Sequence, residues 1–253
     1  MSETSLLQTA YTAAQVGANA LLEHFRTQLN ISTKTSEADY VTNADLASET
    51  AVRAALRELR PNDTITGEEY EAQHGANAEY YWSIDPLDGT VNFARGLPNW
   101  ATSVGVKDLA TGEWVAGAVV APALGVTYLG SKGGGAWAIR GETKARLNGP
   151  DDSRAAKIIA TGFSYSADVR LKQFAKLTEL MPDFVDLRRM GSASLDMCAV
   201  AEGSIDVYYE ADIKEYDWAA AMVIAEEAGL QCKRPEFVGD LAVVARQVER
   251  FSH

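Results

Sequence analysis

The amino-acid sequence predicts an α+β or α/β protein, with an antiparallel sheet in the first half and a mixed α/β second half. Between residues 100 and 139, short runs of β-forming residues alternate with glycine-rich turns, which indicates an antiparallel meander. After Pro150, strand and helix patterns alternate, which is typical of a layered α/β arrangement. We therefore expect two halves, residues 1–150 and 151–253, that form one compact unit without a low-complexity linker.

The first half begins with two predicted helices. Apolar residues at helical spacing predict the first over about Ser5–Leu29. A run rich in Ala, Glu, Arg and Leu predicts the second over about Ala44–Leu59. A short strand is expected at Thr64–Thr66, and the aromatic and apolar run Tyr80–Ile84 predicts a buried strand. The strands of the meander are expected at Ala101–Val106, Trp114–Val120, Val126–Leu129 and Ala136–Ile139.

The second half contains four predicted strands, each followed by a predicted helix. In chain order the pairs are Lys157–Thr161 with Ala167–Leu180, Phe184–Arg189 with Ser192–Ala201, Ile205–Tyr209 with Trp218–Ala228, and Phe237–Val244 with Arg246–Phe251. This alternation predicts helices that pack against the faces of a sheet.

Composition excludes several classes of function. The 253 residues are 47% hydrophobic, enough for a substantial core, and carry a net charge of −12. An acidic chain without basic runs argues against a surface for nucleic acid or anionic membrane. The chain shows neither a secretory signal at Met1–Ser5 nor an apolar run of about 20 residues. We therefore expect a cytoplasmic protein that binds neither nucleic acid nor membrane.

Histidine and cysteine are too scarce for two common kinds of active site. The three histidines are His24, His74 and His253, and the two cysteines form no CxxC motif. A Ser-His-Asp hydrolase or a zinc enzyme with histidine ligands therefore has few candidate residues.

The segment Asp85-Pro86-Leu87-Asp88-Gly89-Thr90 is the most informative motif. Its two carboxylates come where the strand Tyr80–Ile84 is expected to end, and open α/β sheets place ligand sites at strand ends. Oxygen ligands suit a hard cation such as Mg²⁺. The same residue types also favour a solvated turn, so the motif alone leaves both readings open.

Four further segments place polar residues in similar settings. They are Asp45 at the start of the second helix, Gly67-Glu68-Glu69 after a short strand, Gly191–Ser194 at a helix start, and Tyr216–Ala220 at another. Taken singly, each fits a structural role as a loop acid or as a residue at a helix N-terminus.

The order of these five segments resembles the inositol monophosphatase family, the lithium-sensitive, magnesium-dependent sugar-phosphate phosphatases. The resemblance extends from about Lys34 to Gly229. It implies the layered αβαβα sandwich of the sugar phosphatases and a phosphomonoesterase in which a metal-activated water attacks the phosphate. It also implies two or three Mg²⁺ ions per site, inhibition by Li⁺ and a homodimer.

The resemblance assigns a role to particular residues. It implies that the side chains of Glu68, Asp85, Asp88 and Asp217 and the carbonyl of Leu87 bind metal. Four clustered carboxylates would repel one another without cations, which agrees with that assignment.

The catalytic residues implied by the resemblance are Thr90 and Asp45, which are expected to share a hydrogen bond and orient the attacking water, and Glu68, which is expected to assist them. The residues expected to contact substrate are Asp88, Gly89, Thr90, Gly191, Ser192, Ala193, Glu210 and Asp217. Backbone N–H groups of Gly89 and Thr90 are expected to bind phosphate. Glu210 is expected to bind a substrate hydroxyl, although an exposed acid at a strand end is an equal interpretation.

The substrate is the open question. Inositol 1-phosphate is favoured by the resemblance, but the chain departs from the animal enzymes between Glu210 and Asp217. Two acids there, Asp212 and Glu215, suggest a cationic substrate such as histidinol phosphate. Fructose 1,6-bisphosphate and 3′-phosphoadenosine 5′-phosphate would need a basic pocket, for which Arg188 and Arg189 are the nearest pair. A non-catalytic metal- or phosphate-binding module is disfavoured, because every expected ligand is present.

Overall fold

The computed structural model describes residues 3–27, 31–33, 40–237 and 239–251. Of the residues named above, Met1, Leu29, Lys34 and His253 lie outside the described residues. Within the described residues, the strands form a seven-stranded sheet, a five-stranded sheet and a two-stranded pair, β1 Ile31–Thr33 with β2 Tyr40–Thr42.

The seven-stranded sheet runs in chain order from β3 to β9. Its strands are β3 Thr64–Gly67, β4 Tyr80–Asp88, β5 Ala101–Asp108, β6 Trp114–Ala121, β7 Val126–Ser131, β8 Gly135–Arg140 and β9 Thr143–Arg146. The pair β3–β4 is parallel, and every other pair is antiparallel. The predicted meander is confirmed, while β9 was not predicted. Strand β4 also continues past Ile84, through both aspartates of the motif.

The five-stranded sheet has the order β11-β10-β12-β14-β13. Its strands are β10 Ile158–Ala160, β11 Asp186–Arg188, β12 Val207–Ala211, β13 Gln231–Lys233 and β14 Leu241–Ala245. β10 pairs in parallel with both neighbours, and β14 pairs antiparallel with both of its own. The α/β second half expected from the sequence is therefore present; its sheet mixes parallel and antiparallel pairs, and the short β13 was not predicted.

Six α-helices accompany these sheets among the described residues. They are α1 Glu3–His24, α2 Asn43–Leu59, α3 Thr90–Ala94, α4 Ala167–Leu180, α5 Ala193–Glu202 and α6 Glu215–Glu227. Helix α6 begins three residues before the predicted Trp218, which places Asp217 inside its first turn. The helix predicted over Arg246–Phe251 is only a 3₁₀ turn, Glu249–Phe251. No described helix is both long and apolar enough to span a membrane.

Three clusters of apolar side chains show how the layers stack. Leu6 of α1 and Val52 of α2 pack on one face of the seven-stranded sheet. Helices α5 and α6 fill the space between the two sheets. Beyond the five-stranded sheet, Leu177 of α4 packs on Ile159 and Val243. The order helices, sheet, helices, sheet, helix confirms the αβαβα sandwich.

A row of glycines lets α6 lie directly on the first sheet. Gly105, Gly117 and Gly130 are register partners on three neighbouring strands. A Cβ on Gly117 would lie 2.4 Å from the Ala220 carbonyl oxygen, and one on Gly105 would lie 2.9 Å from Ala219. Only glycine fits such contacts. This close packing carries the start of α6, and with it Asp217, to the end of β4.

Candidate active site

A cavity of about 580 Å³ lies between the two sheets, bordered by residues of both halves. The predicted site residues that line it are Glu68, Asp85, Leu87, Asp88, Gly89, Thr90, Gly191, Ser192, Ala193, Glu210 and Asp217. The remaining one, Asp45, is fully buried (0% exposed) and bonded to Thr90 behind the cavity wall. The structure therefore brings every residue selected from the sequence to one place.

The two aspartates of the central motif lie at the irregular end of β4. Asp85 pairs with Ser103 and Asp88 with Ala101, so the strand carries one extra residue relative to β5. Such a bulge re-aims side chains. The expectation that β4 stops before the aspartates is wrong. The carbonyl of Pro86 accepts hydrogen bonds from Ser48 Oγ (2.9 Å) and Thr102 Oγ1 (3.0 Å), which hold the segment in the sheet.

The carboxylates near this bulge destabilise one another's charged forms. Burial raises the pKa of the Asp85 carboxyl well above its usual range, and the negative charges of Glu68, Asp88 and Asp217 raise it further. Burial, followed by the charge of Asp88, likewise raises the pKa of Asp217. Like charges held together in a low-dielectric site are a property of sites that bind cations.

Asp88 connects β4 to the start of α5. Its Oδ2 accepts hydrogen bonds from Ser192 Oγ (2.6 Å), Ser194 N (2.7 Å) and Ser194 Oγ (2.5 Å), and its Oδ1 accepts one from Ala193 N (3.1 Å). Burial raises the pKa of Asp88, and these hydrogen bonds oppose the rise. Ser194 was missed as a site residue, although its position in the first turn of α5 was visible in the sequence.

Thr90 and Asp45 form the hydrogen bond that the resemblance implies. Thr90 Oγ1 lies 3.2 Å from Asp45 Oδ1 and 3.1 Å from the Leu87 carbonyl oxygen. The other oxygen of Asp45 accepts from Thr42 N (2.9 Å) and Thr42 Oγ1 (2.6 Å) at the N-terminus of α2. The orientation of the Asp45 carboxylate is therefore fixed from both sides.

The loop that carries Glu68 is held by a buried ion pair that sequence analysis missed. Glu49 is 0% exposed, and its carboxylate accepts hydrogen bonds from Arg53 Nε (2.7 Å), Glu69 N (2.7 Å) and Tyr70 N (3.3 Å). Arg53 also donates to the Tyr70 carbonyl. The sequence does place Glu49 and Arg53 four residues apart on the same face of α2 as Val52, and this placement could have indicated that the pair is buried.

The part of the cavity beside Glu210, called here the opposite end, is lined by a cation as well as by acids, and the charge of Asp88 acts on it too. Glu210 Oε2 accepts from Tyr208 OH (2.8 Å), and burial raises the pKa of Glu210 to about 7. Arg189 lines the same end, and its charge favours the ionised forms of Glu210 and of Asp196. Arg188, by contrast, pairs with Asp186 at 2.6 Å. The two arginines proposed together as a basic pair therefore have different surroundings.

Comparison with known proteins identifies the chain. The family model described as the inositol monophosphatase family matches residues 2–246, nearly the whole length. The chain belongs to the inositol monophosphatase family. It is therefore a phosphatase that hydrolyses phosphoric monoesters, and the family is generally metal-dependent.

Relatives in the family carry different names. The chain is 41% identical over 202 residues to "Inositol-1-monophosphatase" of Mycobacterium bovis, covering 78% of this chain and 69% of the relative. It is 37% identical over 231 residues to "Nus factor SuhB" of Pasteurella multocida, covering 88% and 83%. The extragenic suppressor protein SuhB of Bartonella henselae superposes with a TM-score of 0.84 at 26% identity, covering 98% and 95%. These identities and coverages agree with the family assignment, and the different names of the relatives leave the substrate open.

The donor chemistry of the site fits Mg²⁺, the metal of the family. Asp85 Oδ1 accepts from Leu87 N (3.1 Å) and Asp217 Oδ2 from Lys214 N (2.5 Å), so most of the acceptor capacity of these two carboxylates remains for other donors or cations. Carboxylate and carbonyl oxygens are the ligands that Mg²⁺ prefers. Among the described residues, no three acidic, histidine or cysteine side chains already converge closely enough to hold an ion.

Proposed function

We propose that this protein is a Mg²⁺-dependent phosphomonoesterase for a small polyol or sugar phosphate, with inositol 1-phosphate as the favoured substrate. The observation that carries the proposal is the association of two features in one cavity. Buried carboxylates that raise one another's pKa lie beside a hydroxyl–carboxylate pair, Thr90 and Asp45.

Five groups would hold two or three Mg²⁺ ions: the side chains of Glu68, Asp85, Asp88 and Asp217 and the carbonyl of Leu87. When bound, Mg²⁺ would offset the charge of the phosphate dianion and lower the pKa of a nearby water. The mutual repulsion of the carboxylates supports this assignment, because a cation relieves it.

Thr90 and Asp45 would orient the attacking water and take up its proton. A water that donates to Thr90 Oγ1 lets Thr90 donate its own proton to Asp45, whose carboxylate is held by Thr42. A positioned proton acceptor of this kind contributes roughly 10²–10⁴-fold to a rate. Glu68, on the neighbouring loop, would assist.

The remaining predicted residues would hold the substrate. Backbone N–H groups of Gly89 and Thr90 would bind the phosphate, close to Asp88 and Asp217. A Cβ on Gly89 would lie 2.7 Å from the Asn99 carbonyl oxygen, so the close approach of the backbone here requires glycine.

Residues at the start of α5 would contact the alcohol. Ser192 donates its hydroxyl proton to Asp88 and keeps lone pairs for a substrate hydroxyl. Gly191, Ala193 and Glu210 also line the cavity and would complete these contacts.

The other substrates remain alternatives of different strength. The case for histidinol phosphate weakens, because Glu215 bonds Tyr81 OH (2.6 Å) and only Asp212 of the two extra acids lines the cavity. The bisphosphate alternatives keep some support, since Arg189 and Lys214 both line it. A non-catalytic module has no supporting observation.

Three further expectations stand as proposals. Packing of α6 against the seven-stranded sheet supports residues 1–150 and 151–253 as one unit. The homodimer is checked by analytical ultracentrifugation and the cytoplasmic location by cell fractionation. Inhibition by Li⁺ is checked in the phosphatase assay.

The test is a phosphate-release screen, with and without Mg²⁺, over inositol 1-phosphate, histidinol phosphate, fructose 1,6-bisphosphate, 3′-phosphoadenosine 5′-phosphate and NADP. We expect Mg²⁺-dependent release that is fastest with inositol 1-phosphate and is abolished by Asp88→Asn. Absence of Mg²⁺-dependent release from all five compounds, or an unchanged Asp88→Asn variant, would show that the proposed function is wrong.

A further inference from the structure

Asp196 borders the active-site cavity with an unsatisfied oxygen. It lies on α5 one helical turn after Ser192, so both residues face the cavity. Its side chain is 1% exposed, and its Oδ1 has no hydrogen-bond partner among the described residues. A hydrogen bond from the backbone N–H of Met190 stabilises its charged form.

Burying a carboxylate oxygen without a hydrogen-bond donor lowers the stability of the folded state, because the oxygen loses its hydrogen bonds to water and gains no replacement. Burial accordingly raises the pKa of Asp196 well above its usual range. Since the residue borders the cavity, a donor that arrives with the ligand would remove this cost.

The neighbours of Asp196 define which donor fits. The charge of Glu210 is the largest electrostatic influence on Asp196, and Arg189 acts in the opposite direction. The Arg189 guanidinium folds over Gly191, where a Cβ would lie 2.6 Å from Nη1. Arg189 also lines the cavity. This end of the cavity therefore offers two acidic acceptors and one cationic donor.

A hydroxyl group matches that combination better than a cation does. A hydroxyl can donate to a carboxylate and accept from a guanidinium at once. An ammonium group would be repelled by Arg189, and a phosphate would be repelled by both acids. Adjacent hydroxyls on a polyol would satisfy the acceptors and the donor together.

We propose that Asp196 is a specificity-determining residue that accepts a hydrogen bond from a substrate hydroxyl, with Glu210 and Arg189 completing a hydroxyl-binding end of the cavity. The inference rests on the proposed phosphatase function and extends it from the reacting group to the alcohol. It selects phosphomonoesters whose alcohol carries several neighbouring hydroxyls.

A purely structural role for Asp196 makes a different prediction. If Asp196 served only to accept the Met190 N–H, Asp196→Asn would keep an oxygen for that bond and behave like the wild type. In the proposed role, the same variant places an NH2 group, which cannot accept a hydrogen bond, where the substrate hydroxyl needs the second carboxyl oxygen. A site that recognises a substrate hydroxyl by a hydrogen bond binds much more weakly when one of the two groups cannot complete that bond.

The experiment measures kcat and KM of the Mg²⁺-saturated enzyme for two substrates. Inositol 1-phosphate carries neighbouring hydroxyls, and p-nitrophenyl phosphate carries none. We expect Asp196→Asn to lower kcat/KM for inositol 1-phosphate by roughly ten- to a hundredfold, mostly through KM, because a buried substrate hydroxyl is left without an acceptor. Its kcat/KM for p-nitrophenyl phosphate should stay within about twofold of the wild type.

Asp206→Asn is the matched control, because Asp206 is a buried acid outside the cavity whose Oδ2 accepts from Ile158 N (2.7 Å). Asp206→Asn should leave kcat/KM unchanged for both inositol 1-phosphate and p-nitrophenyl phosphate. Inositol 1-phosphates that each lack one ring hydroxyl add a second readout. For the wild type, one of these compounds should have a lower kcat/KM than inositol 1-phosphate. For Asp196→Asn, removal of the same hydroxyl should cause no further loss of kcat/KM.

Equal losses for both substrates, or no loss for either, would overturn the role of Asp196 while leaving the phosphatase intact. Failure of the wild type to release phosphate from both substrates would instead overturn the proposed function, and this inference with it.

Discussion

The two ends of the cavity differ in how their charges are balanced. At the end of β4, Asp85 and Asp217 face further acids, and each accepts a single hydrogen bond from the backbone. At the opposite end, Glu210 accepts from Tyr208 and lies near the cationic Arg189. The first end is therefore suited to cations, whereas the second is suited to neutral polar groups.

This contrast separates the reaction from the substrate. The acidic end is centred on one short contiguous motif, to which the proposed function assigns the phosphate chemistry. The opposite end comes from separate loops and helices of the second half, and relatives with related folds carry different names. Variants at the acidic end should therefore change kcat for every substrate, and variants at the opposite end should change KM for particular ones.

The largest effect is expected at the acidic end with Asp85→Asn. Loss of this charge should abolish measurable Mg²⁺-dependent phosphate release, because the site loses a ligand that would hold the ions and, through them, activate the water. The same variant should unfold at a higher temperature than the wild type in the absence of Mg²⁺, because it relieves repulsion among buried carboxylates. Asp206→Asn, assayed beside it, should show neither change. Retention of phosphate release by Asp85→Asn would contradict the assignment of the reaction to the acidic end of the cavity.

Thr90→Val should give the next largest effect. The variant keeps the shape of the side chain and removes the hydroxyl that donates to Asp45. We expect kcat to fall roughly 10²–10⁴-fold for all substrates with little change in KM. Thr90→Ser restores the hydroxyl and should recover most of the rate in steady-state kinetics. A change confined to KM would contradict a role in proton transfer.

The contiguous part of this site was predictable from the residues alone, whereas distant residues such as Glu68, Glu210 and Asp217 were selected only through the family resemblance. Asp85, Asp88 and Thr90 lie within one motif, so their neighbourhood needed no knowledge of the fold. The length of β4 was missed because Pro86 suggests a stop. In the structure, the carbonyl of Pro86 accepts hydrogen bonds from the hydroxyls of Ser48 and Thr102, which are distant in sequence, and the strand continues through the proline.

Residues that resemble ordinary helix features were also missed. Asp196 lies in the first turn of α5, where acids are common for reasons of helix electrostatics alone. Glu49 and Arg53 have the spacing of a surface ion pair, and only the fold shows that both are buried. Burial and unsatisfied oxygens depend on tertiary packing, which periodicity does not encode.

Glu49→Gln tests whether the buried ion pair positions the Glu68 loop. The variant leaves Arg53 without its charge partner and should lower the free energy of unfolding by roughly 3–5 kcal/mol. It should also raise the Mg²⁺ concentration needed for half-maximal activity, on the order of tenfold, as for loss of a group that supports a metal ligand.

The double variant Glu49→Gln/Arg53→Met separates these two effects. It removes both charges and should recover stability in chemical denaturation without recovering Mg²⁺ affinity by calorimetry. Recovery of both would show that the pair serves stability alone.

The smallest effect is a pH dependence at the opposite end. Burial raises the pKa of Glu210 from 4.5 to about 7, so the folded state binds a proton more tightly than the unfolded state does. This contribution to stability is complete below pH 4.5 and is lost as the pH rises through 7.

Glu210→Gln should therefore stabilise the Mg²⁺-free protein by roughly 1–3 kcal/mol more at pH 8 than at pH 4.5. Urea denaturation at the two pH values measures the difference. Equal effects at both would indicate that Glu210 titrates normally.

The most direct test of the contrast between the two ends is a crystal structure of the protein with Mn²⁺ in place of Mg²⁺. Anomalous scattering would locate the ions. The account predicts peaks among Glu68, Asp85, Asp88 and Asp217 and none beside Asp196 and Glu210. Peaks beside Asp196 and Glu210, or no peak at the end of β4, would contradict it.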